Sequence, residues 1–324
     1  MKNKTKKIII FFLKIFIAIG LFYYFINSYP INIYSVELLL KSPYRIFFLL
    51  LICSLVIPIT TYRWYLLFNS IKNKFSFKDI FFINYIGIFF NVVIPSSIGG
   101  DVYKSVYMYR KLERNRSHAV FSVIVDKICG FMGLMIVCAL GIIISWKVVK
   151  EIPLLMTLSL LIFLVLILCV AIIFFIFFTN NYFYKPIKNF VTDKESKFGK
   201  LVIKIMDAVL HYKNNINLLL SCIGLSVLLH LSSVLFLIII APIFNHELIK
   251  FSDHMIALPL ANLSNLIPIT PGGLGIGEIA YAQLIGLLIN SQNLGNLALQ
   301  FLALRISWVI ISMPGMIVYI LYKK

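Results

Sequence analysis

The sequence predicts an all-α integral membrane protein, with about six transmembrane helices and two re-entrant helical hairpins in an inverted repeat. Three observations predict it. Hydrophobic residues make up 61% of the chain and charged residues 13%, against roughly half and about a quarter in soluble domains. Several apolar runs reach the ~20 residues that an α-helix needs to cross about 30 Å of hydrocarbon. Two further apolar runs are short and broken by proline and glycine.

The elements follow in order as a single polytopic domain over residues 1–324, with halves at about 1–150 and 151–324. A first helix is predicted over Ile8–Tyr29. The N-terminal lysines before it resemble the start of a signal peptide, but no small-x-small cleavage site follows, so it is read as a retained helix. A second helix spans Tyr44–Phe68. The short segment Ile80–Ile94 then runs into Pro95-Ser-Ser-Ile-Gly-Gly-Asp101, followed by a basic stretch from Lys104 to Arg116. Two long helices are predicted at Ser117–Ser145 and Ile152–Phe178. The connector Thr179–Asn215 carries seven lysines against three acids and is expected to lie on an anionic cytoplasmic leaflet. A helix at Ile216–Ala241 precedes Met255–Ile267, which breaks at Pro268-Ile-Thr-Pro-Gly-Gly-Leu-Gly275. Ile276–Ile289 continues apolar, and a last helix covers Leu294–Tyr322.

Charge placement sets the expected topology. Lysine and arginine mark cytoplasmic loops. The N-terminus, the loop at Lys72, Lys74 and Lys78, and the stretch from Lys104 to Arg116 all belong on one side by that rule. One crossing between the last two is incompatible with it, whereas a hairpin that dips in and returns satisfies it. The same reasoning places Thr179–Asn215 inside and Phe244–Asp253 outside. A second hairpin over Met255–Ile289 then enters from the opposite face, and both termini are cytoplasmic in the cell (inner) membrane. Two tilted crossings over Ile256–Ile289 would give the same end locations.

The formal charge of +18 does not point to nucleic acid, because the excess lies in short connectors between apolar runs. Cys53, Cys129, Cys138, Cys169 and Cys222 sit far apart within apolar runs and form neither a disulfide framework nor a metal spacing. The five histidines are scattered. No metal, no cofactor and no enzymatic constellation is expected.

The two breaks share the pattern P-x-S/T-x-G-G, with Asn91 upstream of the first and Asn262 and Asn265 upstream of the second. An acid follows each, Asp101 and Glu278. Paired Gly/Pro-interrupted segments in corresponding halves are the best sequence pointer to a transporter's binding site. Backbone groups freed at such turns cost several kcal/mol in lipid, so the turns must lie within protein or beside a watery cavity. The candidate substrate-binding residues are therefore Asn91, Pro95, Ser96, Gly99, Gly100 and Asp101 in the first break, with Asn265, Thr270, Pro271, Gly272, Gly273 and Glu278 in the second. They are expected to line one cavity where the hairpins meet. Asp101 and Glu278 have an alternative reading as helix caps or first-turn complements to the dipole.

Charges recur behind the breaks. Asp126 and Lys127 fall about nine residues into their helix, roughly 13 Å, and Arg305 about eleven residues into the last one. A charge at the bilayer centre costs at least ~2.5–3.5 kcal/mol and usually marks a pathway or a buried pair. Asp126 reads equally as a substrate contact or as the partner of a neighbouring cation; Lys127 reads as a paired or cavity-facing group. Arg63, beside Tyr62, Trp64 and Tyr65, reads as an interfacial anchor, and Lys14 as a snorkelling side chain.

These residues, from Asn91 to Asp101, Asp126-Lys127, Pro268 to Glu278 and Arg305, resemble the lysylphosphatidylglycerol synthase transmembrane (flippase-like) family, which includes the membrane half of the multiple peptide resistance factor. The resemblance covers nearly the whole chain and implies lipid translocation. Two departures stand out. Pro95-Ser96 replaces the family's common Pro-Gly, and Asp126-Lys127 replaces Asp-Arg, keeping the charge but losing the guanidinium fork. The sequence reaches Lys324 without a soluble aminoacyl-transferase domain, so the resemblance gives no support for synthesis of a lysyl-lipid. Three readings stay open. The first is a flippase for an anionic phospholipid or a polyprenyl-phosphate-linked headgroup. The second is a membrane subunit or intramembrane enzyme that modifies lipid-linked headgroups. The third is a secondary transporter of a small anion. The expected partners are membrane lipids, with a homo-oligomer or a lipid-modifying enzyme as further candidates.

Overall fold

The computed structural model describes residues 33–70, 75–93, 99–112, 116–178, 215–244, 249–266, 270 and 273–322, together with Gly20, Tyr23 and Tyr212. The first predicted helix apart from Gly20 and Tyr23, Lys14 and nearly all of the basic connector lie outside the described residues, as do Pro95, Ser96, Pro271 and Gly272. Every described element of regular structure is helical.

The chain runs through α1 (Ile33–Leu40), α2 (Pro43–Ser54), α3 (Val56–Asn69), α4 (Phe77–Val93), α5 (Gly99–Lys111), α6 (Arg116–Ile144) and the one-turn α7 (Trp146–Val149). It continues with α8 (Pro153–Phe178), α9 (Ile216–Phe244), α10 (Phe251–Ser264), α11 (Ile276–Ile289), α12 (Leu294–Ser312) and α13 (Pro314–Leu321). Pro43 and Pro314 open their helices, where a missing N–H costs nothing. Leu55 and Met313 keep right-handed helical angles, so α2 with α3 and α12 with α13 each form one span.

Among the described residues, five helices are long and apolar enough to cross a membrane: Pro43–Asn69, Arg116–Ile144, Pro153–Ala171, Ile216–Phe244 and Leu294–Leu321. They coincide with five of the six predicted crossings; the sixth is the first helix. α6, with 29 residues, is about 44 Å long and the most enclosed; α8 is the most exposed.

The interrupted segments are two helical hairpins of short helices. α4 has 17 residues and α5 has 13, about 25 and 20 Å, short of the ~30 Å hydrocarbon core. They run antiparallel. Gly100 lies on Gly87, Tyr103 against Phe90, and Lys104 reaches back to Asn84. α10 and α11, 14 residues each, are also antiparallel, with His254 against Tyr281 and Asn265 against Gly277.

Both ends of each hairpin share one end of the bundle. Phe68 at the close of α3, Ile80 at the start of α4, Leu112 after α5 and Ala119 at the start of α6 form one buried cluster with Tyr322 against it. A His118 ring nitrogen stands 3.1 Å from the Phe68 carbonyl, and Tyr322 donates to Asp79 at 2.7 Å. Tyr212, at the far side of the basic connector, donates to the Leu67 carbonyl at this same end. At the other end of α6, Ser145 donates to Ser252 at 2.7 Å. A concavity of about 840 Å³ there is lined by Ser145, Lys250, Asp253, Leu288 and Ile289. The first hairpin therefore starts and finishes at the N-terminal end of α6, and the second at its C-terminal end.

Candidate polar site at the hairpin tips

At the first tip, the Asn91 side-chain carbonyl accepts a hydrogen bond from the Gly100 amide at 2.8 Å. A β-carbon on Gly100 would stand on the Gly87 carbonyl, so only glycine lets α4 and α5 close here. Asp101 falls in the first turn of α5, where the helix dipole favours a carboxylate. Its Oδ2 lies 2.9 Å from the Lys127 ammonium and its Oδ1 3.5 Å from the Lys104 ammonium. Lys104 sits over the Trp64 ring at 4.9 Å and donates to the Asn84 side-chain carbonyl at 3.3 Å. The Asn84 amide donates in turn to the hydroxyls of Thr60 and Thr61.

Behind this lies a second ion pair. Arg63 Nε donates to Asp126 Oδ1 at 2.6 Å, and Arg63 Nη1 donates to the Ser226 hydroxyl at 2.7 Å. Arg63 and Asp126 are buried, at 6% and 3% exposure. The reading of Arg63 as an interfacial anchor is thereby corrected: the apolar neighbours that resembled an aromatic belt pack around a buried guanidinium, which α3 delivers to α6. Asp126 is the partner of that cation. Its neighbour Lys127 points elsewhere, because adjacent helical residues diverge by about 100°.

At the second tip the pattern recurs. Gly275 begins α11 with φ of 84°, and its amide donates to Glu278 Oε2 at 2.9 Å. Glu278 Oε1 stands 3.3 Å from Arg305 Nε, and the guanidinium lies over the Phe301 ring at 5.6 Å. Glu278 thus serves both as a cap and as an ion-pair partner. Asn265 packs on Gly273 and Gly277 much as Asn91 packs on Gly100. In both halves, the acid behind the glycine turn pairs with a cation on the long helix that follows, Asp101 with Lys127 and Glu278 with Arg305.

The structure brings Asn91, Gly99, Gly100, Asp101 and Lys127 together at one tip, and Asn265, Gly273, Glu278 and Arg305 at the other. Thr270 turns its hydroxyl into its own loop, donating to the Leu274 carbonyl. The cleft at the second tip, about 170 Å³, is lined from α9, α10 and α12, with His230, Ser233, Asn262, Asn265 and Arg305 as its polar residues. Neither α4 nor α5 reaches it. The two tips connect through Gly130 on α6: a His230 ring nitrogen is 3.1 Å from its carbonyl, and Arg63 lies along its open side. Sequence reasoning missed Arg63, Lys104, Asn84 and His230. Lys104 had one signal, its position three residues after Asp101 on the same helix face.

Residues 11–315 match the family model described as the lysylphosphatidylglycerol synthase TM region. No curated protein and no solved structure gives a match.

Proposed function

The chain belongs to the lysylphosphatidylglycerol synthase TM-region family, and from that premise we propose that it is a lipid translocator rather than an enzyme. It moves an anionic phospholipid or a lipid-linked phosphate headgroup between the leaflets of the cell membrane. The hairpins are re-entrant, their tips stop inside the bilayer, and the end holding Tyr322 and the basic loops is cytoplasmic. One observation carries the reading: an acid–cation pair recurs at the tips of two hairpins that enter from opposite ends, Asp101 with Lys127 and Glu278 with Arg305. Charges at such depth persist where they serve a pathway or a buried pair. Here each acid stands in the first turn of a helix, where the positive end of the helix dipole suits a phosphate as well.

The test is leaflet exchange of fluorescent phosphatidylglycerol in vesicles holding the purified chain. Exchange well above that of protein-free vesicles, lost in Arg305→Ala with the protein still monodisperse, supports the reading. Exchange no faster than in empty vesicles overturns it. Formation of a new lipid product by the purified chain would favour an enzyme instead.

A further inference from the structure

We infer that Lys127 is a phosphate-binding step on a lipid-exposed seam between α5 and α6. Along this seam a singly charged phosphodiester headgroup travels with its acyl chains still in the bilayer. The inference rests on the translocator reading and states where on the molecule the movement takes place and which headgroup charge it suits.

Exposure separates Lys127 from the charges around it. Its side chain is 54% exposed, whereas those of Asp101, Lys104, Arg63 and Asp126 are at 8% or below. It stands about eleven residues beyond the start of α6, roughly 17 Å along the axis. Exposed apolar residues run along the two helices that it bridges: Ile124 and Ile128 on α6, and Val102, Val106 and Tyr109 on α5. An ammonium held in that setting is open to a partner from the lipid side as well as to the buried carboxylate behind it. At the basic end of the same seam, Arg116 lies over the Tyr109 ring at 5.5 Å, a cation at the level where a headgroup would enter.

Charge decides what the partner is. Arg63 and Asp126 neutralise each other. Asp101 faces two lysines, Lys104 and Lys127, which leaves one positive charge over. The second tip has one acid for one cation and no such surplus. A single phosphodiester charge balances the first tip.

The geometry lets Lys127 change partners without stranding an anion. Asp101 Oδ1 is buried and makes no hydrogen bond, yet Lys104 lies only 3.5 Å from it. When a phosphate takes Lys127, Asp101 keeps a cation by moving a few tenths of an ångström toward Lys104. Leaving a buried carboxylate unpaired would be costly; here that cost is avoided.

The experiment uses the full chain in vesicles and two lipids, fluorescent phosphatidylglycerol and a phosphatidylethanolamine carrying a large polyethylene glycol headgroup. A seam open to lipid passes both, within a few-fold of each other, and this arm needs no variant. Lys127→Gln slows phosphatidylglycerol exchange by about tenfold, as expected for one charge-assisted hydrogen bond, and Lys127→Arg restores it. The seam is overturned, with the translocator reading intact, if small lipids exchange while the polymer-bearing lipid stays behind, or if Lys127→Gln leaves phosphatidylglycerol exchange unchanged. Absence of exchange for every lipid overturns the translocator reading and the seam with it.

Discussion

Arg63 and Asp126 meet in a buried ion pair 2.6 Å long that ties α3 to α6, and through Ser226 to α9. Burial makes the pair asymmetric in its consequences. Removing one partner strands a charge, at a cost of about 3–5 kcal/mol, whereas replacing both by apolar groups is often neutral or stabilising. Asp126→Leu should therefore sharply lower the unfolding temperature in detergent, and Arg63→Met with Asp126→Leu should recover most of it. If the double variant is as unstable as the single, the pair has a role beyond mutual neutralisation.

Gly100 and Gly224 make a matched test of helix approach. A β-carbon at Gly100 would stand on the Gly87 carbonyl, while one at Gly224 meets nothing within 4 Å. Gly100→Ala should spread the first hairpin, reducing both thermal stability and leaflet exchange. Gly224→Ala should be neutral or stabilise by up to about 1 kcal/mol through helix propensity. Thermal melts and exchange rates of the two variants check this side by side.

Glu278 and Arg305 should behave as a unit. Glu278→Gln removes the ion pair but keeps an acceptor for the Gly275 amide, so exchange should fall while folding is largely retained. Arg305→Lys should retain part of the activity, because the charge stays while the fork that meets carboxylate and phosphate is lost. Equal activity of Arg305→Lys and Arg305→Ala would contradict a role for the positive charge.

The ends of the hairpins give a topology test. Cysteines placed at Lys78 and Arg110 should react with a membrane-impermeant maleimide from the same side, and cysteines at Lys147 and Lys250 from the other. Four of the native cysteines, Cys53, Cys129, Cys138 and Cys222, are buried, which keeps the background low. Labelling of Lys78→Cys and Arg110→Cys from opposite sides would rule out a re-entrant first hairpin.

What the sequence disclosed follows from its physics. Apolar runs near twenty residues mark spans without reference to tertiary contacts, so five crossings fall where hydropathy puts them. The positive-inside argument placed Lys78 and Arg110 at one end, and the cluster of Phe68, Ile80 and Leu112 puts both ends of α4–α5 there. Arg63 was illegible for a reason. It lies seven residues before Ser70, close enough to a helix end to pass as an anchor, and only the fold brings Asp126 to it. Lys104 was hidden in a run of cations, since a linear count cannot separate one lysine that turns inward from its solvated neighbours. Sequence symmetry gives two matched tips but not the helix packed between them. α6 stands there, with Gly130 as the contact.

The aromatic closure of the last span on the first hairpin bears on how the protein is made. Tyr85 donates to the Ile311 carbonyl, Gly315 rests against Tyr85 and Phe89, and Tyr322 reaches Asp79. These contacts join residues more than 220 positions apart in the chain. During synthesis one flank of α4 therefore stays open until the span Leu294–Leu321 has left the ribosome. A substitution at Tyr322 acts on a joint that closes late, and its effects would register as slow assembly before they registered as lost transport.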